Sequence, residues 1–126
     1  MNHNHIKMYQ DVGNYSHILG ASPYQQIEIL FEKALKDIRL AIKGMQENKP
    51  NIKGIGIVSA DNIVCYLREC LNLEQGGELA LKLDKIYAHL TQELFFANAE
   101  NNPQKLEACL LILTNLKTWW EKVDAK

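Results

Sequence analysis

No stretch of this 126-residue chain nears the ~18 consecutive apolar residues that cross a bilayer, and its polar opening, Met1 to His5, is no signal peptide. The chain is therefore expected to stay in the cytoplasm and to insert into no membrane. Blocks of like charge are also missing. The 14 basic and 15 acidic side chains are interspersed and give a formal charge of -1, which argues against a dedicated nucleic-acid binder. Cysteine is scarce and odd in number: Cys65, Cys70 and Cys109 include no pair at the spacing of redox motifs or zinc knuckles, and they read as reduced packing residues. Glu-x-x-His, the motif that holds a metal pair inside a helical bundle, is absent, since the one histidine within a helical stretch, His89, has Ile86 three residues before it. His3-x-His5 would capture a metal only adventitiously. Ser59 and the cysteines have no histidine within a turn, and Gly54-x-Gly56 lacks the third glycine and the preceding strand of a phosphate loop. Neither a cofactor nor an enzymatic activity is expected.

What is present is helical periodicity. Three prolines and seven glycines fall mostly where an apolar pattern of period 3.6 starts or stops. Ser22-Pro23-Tyr24-Gln25 has the form of a capping box with proline at the first helical position, and Ile27, Leu30, Phe31, Ala34, Leu35, Ile38, Ala41, Ile42 and Met45 follow on one face. Lys49-Pro50 breaks that helix. A second is clear from Ala60 through Ile63, Val64, Leu67, Cys70 and Leu71; residues 51–58 mix glycine with β-branched residues, which leaves a short strand conceivable, and the segment is read as the entry to this helix. Glu74 to Glu78, with Gly76 and Gly77 at its centre, is a reversal. The third helix would turn Leu79, Leu83, Ile86, Tyr87, Leu90, Leu94 and Ala97 inward, and Asn102-Pro103 starts a fourth lined by Leu106, Cys109, Leu110, Leu113, Leu116, Trp120 and Val123. Short connections between helices of about 20 residues predict one all-α domain, an antiparallel up-and-down four-helix bundle over residues 22–126.

Closing such a bundle leaves apolar residues over. Leu81, Ala88 and Phe95 recur every seven residues and point about 120–160° away from Leu83 and Leu90. Ile112 and Trp119 repeat that spacing on the fourth helix, with Leu111 on its far side; Val58 and Cys65 do so on the second, and the first adds Ile29 and Leu40. Rows of this kind are templates for an amphipathic helix laid into a groove. They equally suit burial under the N-terminal segment or against a second copy in a homodimer, and periodicity alone does not choose between a partner and self-association.

Several motifs in order then carry a resemblance over nearly the whole chain. They are Ile6-Lys7-Met8-Tyr9-Gln10-Asp11-Val12, Ala21-Ser22-Pro23 followed by Ile27-Glu28-Ile29-Leu30-Phe31, Glu74-Gln75-Gly76-Gly77-Glu78-Leu79-Ala80, Ile86-Tyr87, Ala97-Asn98 and Trp120. With these the chain resembles the FliS-type flagellin-specific export chaperones. The resemblance implies a cytosolic, non-enzymatic chaperone that binds the disordered C-terminal part of flagellin, blocks premature polymerisation and delivers it to the flagellar type III export gate. It also implies that residues 1–21 form a cap, with Ile6 and Tyr9 covering part of a client groove built from Val58, Cys65, Leu81, Phe95, Leu111, Ile112 and Trp119. A co-chaperone or an anti-sigma factor is a further implied competitor for that surface. The chain departs from the family pattern at Asn62, where an aliphatic residue is common, and at Leu73, where a polar one is usual.

Overall fold

The computed structural model describes residues 22–124; the expected N-terminal cap, with Ile6 and Tyr9, lies outside them. Four helices follow one another: α1 Pro23–Gln46, α2 Pro50–Glu69, α3 Gly77–Glu100 and α4 Pro103–Asp124. At 1.5 Å per residue, helices of 20 to 24 residues are about 30–36 Å long.

Local chemistry sets most of the boundaries. Ser22 Oγ accepts from the Gln25 N–H at 3.2 Å while Gln25 Oε1 accepts from the Ser22 N–H at 3.0 Å, the reciprocal box that the sequence predicts. α3 ends on Asn101 in the left-handed region, and Asn102 Oδ1 caps α4 by accepting from the Gln104 N–H at 3.0 Å. Between α2 and α3 the buried Asn72 organises the reversal, its Oδ1 taking the N–H groups of Glu74 and Gln75 at 3.0 and 3.1 Å. Of the two glycines there, Gly77 is the one that uses a positive φ, +62°.

Residues 51–58 are the first turns of α2, the helix entry that the sequence predicts, and not the strand that their composition also allowed. The glycine that looks like a helix weakness is a contact: a Cβ at Gly56 would collide with the Asp37 carbonyl oxygen and lie 2.9 Å from the Ala41 backbone nitrogen, so its absence lets α1 and α2 approach closely. Leu79 and Val123, expected to face inward, are 53% and 41% exposed. Both stand in terminal turns, beyond the Leu83 and Leu116–Trp120 layers that close the core, and Ala80 is the buried residue of the first α3 turn.

α1 packs on α2 and α4, and α3 packs on the same two helices from the other side, which gives a square bundle. Phe31, Ile38, Val64, Leu90, Leu94, Leu106, Cys109 and Leu113 fill its axis with almost no exposure. At ~25 cal/mol per Å² of apolar surface, this burial is the main term holding the fold. Polar links then fix neighbours in register. Arg68 Nε meets Asp84 Oδ1 at 2.7 Å between α2 and α3, Lys105 Nζ meets Glu93 Oε2 at 3.1 Å between α4 and α3, and Trp120 Nε1 donates to the Tyr24 carbonyl at 3.1 Å between α4 and α1.

Candidate polypeptide-binding surface

Some of the apolar side chains left outside the core gather on both flanks of α3, while Leu40 on α1, Leu73 ahead of α3 and Leu111 on α4 are exposed elsewhere. On the α2 side, Ile57 and Leu94 floor a shallow cleft of about 190 Å³, walled by Val58 and Phe95 with Asp61, Thr91 and Asn98 as its polar lining. Val58 is 57% exposed and Phe95 67%, although each is large and apolar. Phe95 leans edge-on against Phe96, ring centroids 5.5 Å apart, so the aromatic wall is held in place. Along α2 the apolar surface continues through Ile55 to a depression of about 400 Å³ lined also by Gly54, Ser59 and Asn62. Cys65 stands two turns beyond Val58 on the same side, half-buried and unpaired with another cysteine. Burial first, then the nearby Asp61 and Glu69 carboxylates, push its thiol above the usual range, which disfavours the thiolate.

Asp61 differs from its apolar surroundings. Burial raises the pKa of its carboxyl, and among the described residues no cation or hydrogen-bond donor reaches it.

On the α4 side, Ile86, Ile112 and Leu116 floor a longer trough of about 440 Å³ that is edged by Lys85, His89 and Asn115. Leu81 and Ala88, with Phe95, form the ridge of α3 between the two depressions.

The structure thus brings Val58 and Phe95 into one cleft, with Cys65 on the same flank of α2, and places Ile112 in the other trough. Leu81 stands on the intervening ridge. Leu111, 63% exposed, lies on the outer side of α4 and lines neither depression. Trp119 is half-buried near the end of α4, its ring 6.0 Å from that of Trp120, which itself stacks on Tyr24 at 4.5 Å. Sequence reasoning missed Ile55, Asp61, Lys85 and Asn115, and it assigned Ile86 wholly to the core. The spacing of Ile55, Val58, Cys65 along α2 carries the missed signal for Ile55, and Asp61 lies three residues past Val58 on the same face.

One polar cluster invites a catalytic reading. Ser59 Oγ donates to Asp37 Oδ2 at 2.5 Å and accepts from Lys33 Nζ at 3.1 Å, while Lys33 also reaches both Asp37 oxygens at 3.2 Å. The three side chains satisfy one another across the α1–α2 contact, Lys33 and Asp37 from α1 and Ser59 from α2, and no histidine takes part. The trio reads as a clamp between α1 and α2. Among the described residues no group of three or more His, Cys, Asp or Glu could hold a metal ion, and no helix is long and apolar enough to cross a membrane.

Fold and surface together define a small antiparallel helical bundle with part of its apolar side chains turned outward, in open troughs rather than an enclosed pocket. Comparison with known proteins gives that class a family. The chain matches the family described as flagellar protein FliS over residues 5–126. It is 32% identical to the flagellar secretion chaperone FliS of Salmonella typhimurium, over 96% of this chain and 90% of that one. It is likewise 32% identical to the flagellar secretion chaperone FliSB of Pseudomonas aeruginosa, over 94% of each, and 29% identical to the flagellar secretion chaperone FliS of Vibrio cholerae, over 94% and 87%. The chain belongs to the FliS family of flagellar secretion chaperones.

Proposed function

We propose that this protein is a cytoplasmic export chaperone for flagellin: it holds the disordered C-terminal segment of that client, keeps it from polymerising and hands it to the flagellar export gate. Family membership supports the reading, and the observation that carries it is the pair Val58 and Phe95, two large apolar side chains left open over one cleft. A disordered segment loses on the order of 1–2 kcal/mol per ordered residue, and burial of a long apolar surface is what offsets that. The flanks of α3 supply such a surface on the outside of a bundle that is already closed within. The proposed contacts are Val58, Cys65, Leu81, Phe95, Ile112 and Trp119, with Leu111 on the outer face of α4 and Ile6 and Tyr9 from the N-terminal segment. Nothing in this mechanism needs nucleotide hydrolysis; release follows from handover at the gate. A co-chaperone or an anti-sigma factor would compete by covering the same troughs.

Calorimetric titration with a flagellin C-terminal peptide tests the reading. One-to-one binding is expected, weakened about tenfold or more by Phe95→Asp and by Tyr9→Asp while helicity measured by circular dichroism persists. Unchanged affinity in both variants removes these residues from the site. Sedimentation at micromolar concentration addresses the rival homodimer, since a self-paired bundle sediments as twice the chain mass and leaves the troughs closed.

A further inference from the structure

The two flanks of α3 differ in charge. Toward α2, the cleft beside Val58 and Phe95 holds the Asp61 carboxylate, which no described cation meets; the carboxylate that α3 itself turns toward α2, Asp84, is taken by Arg68 at 2.7 Å. Toward α4, the trough over Ile86, Ile112 and Leu116 is edged by Lys85, which pairs with no described carboxylate, and by His89. Glu93, on the same helix one turn past His89, is held by Lys105 at 3.1 Å and stands 3.9 Å from His89 Nε2. Each flank is therefore an apolar floor beside a charge that the protein leaves uncompensated, and the two charges are opposite in sign.

We infer that the flanks take different segments of the bound polypeptide: an amphipathic helix with lysine or arginine beside its apolar anchors against α2 and α3, and one with aspartate or glutamate against α3 and α4. This rests on the chaperone reading above and adds the chemistry of the segment that each trough accepts. Laying apolar surface over Asp61 alone would strip water from a carboxylate whose proton affinity is already raised by burial. A cation from the ligand removes that penalty, whereas a second carboxylate there adds repulsion where screening is weak. The same argument with signs reversed holds at Lys85. The ridge of Leu81, Ala88 and Phe95 separates the two settings, so charge fixes which segment lies on which side.

Two synthetic peptides of about 20 residues with the same leucine-alanine face test this, one flanked by lysine and the other by glutamate, titrated against the full chain. Asp61→Asn is expected to weaken the lysine-flanked peptide about tenfold and leave the other unchanged; Lys85→Glu does the reverse, and both peptides bind one chain together. Lys85→Gln, which removes charge without reversing it, is expected to give an intermediate loss, and salt above about 0.5 M to flatten all these differences. Two peptides that bind the unaltered chain but ignore all three substitutions, or that displace each other, overturn the assignment and leave the chaperone reading standing. Failure of either peptide to bind the unaltered chain also overturns the assignment, while the flagellin-peptide titration decides the chaperone reading on its own.

Discussion

Asp61 sits beside the apolar walls of Val58 and Phe95 in a cleft whose other polar lining is Thr91 and Asn98, and its proton is held more tightly in the folded chain than in the unfolded one because burial disfavours the anion. A folded-state pKa above the unfolded value contributes stability that is complete below the ordinary aspartate value of 3.8 and is lost as pH rises through the folded value. Asp61→Asn is therefore expected to melt higher than the parent at neutral pH, with the gap closing as the pH is taken below about 4. Thermal melts across that range check the sign, and a gap that widens on acidification would contradict it. Single residues are also where the sequence was least readable. Val58 and Phe95 were found by spacing, because an apolar row at seven-residue intervals survives any small rotation of its helix. Asp61 was passed over because an acid on a half-polar helix face looks like solvent-facing charge until the neighbouring helix, in place across α2, takes water away from it.

At the scale of elements, capping chemistry and periodicity placed α1 and α4 closely, since Ser22, Gln25, Asn102 and Pro103 act within a turn of themselves. The start of α2 was harder. Gly54 and Gly56 count equally against helix in a local reading, yet tertiary packing separates them: Gly56 lies against the α1 backbone, and around Gly54 nothing among the described residues comes within 4 Å of an added Cβ. Opposite outcomes follow from one methyl group. Gly54→Ala is expected to stabilise the protein by about 0.5–1 kcal/mol through helix propensity. Gly56→Ala is expected to destabilise it by about 1–3 kcal/mol, because the clash is with backbone that no side-chain rotation relieves. Urea denaturation of the two variants measures both; equal effects would mean that α1 and α2 do not meet at Gly56. Leu79 and Val123 show the same limit from the other direction, as periodicity assigns a residue to a face without saying where along the helix the core stops.

The bundle as a whole divides its apolar side chains between two tasks, and the division is measurable. Leu90 has no exposure and belongs to the buried core cluster, so Leu90→Ala should cost about 2–5 kcal/mol of stability through lost burial and the cavity left behind. Because α3 keeps its outer ridge in that variant, the affinity of the molecules that remain folded should change little. Phe95→Asp is the converse: a residue 67% exposed lies outside the stabilising core, so unfolding free energy should stay within about 0.5 kcal/mol while peptide affinity falls about tenfold. Chemical denaturation and calorimetry on the same two preparations separate the effects. A protein that kept Phe95 for its own fold would lose stability and binding together, and its exposed wall would then be part of the bundle rather than a place for another chain.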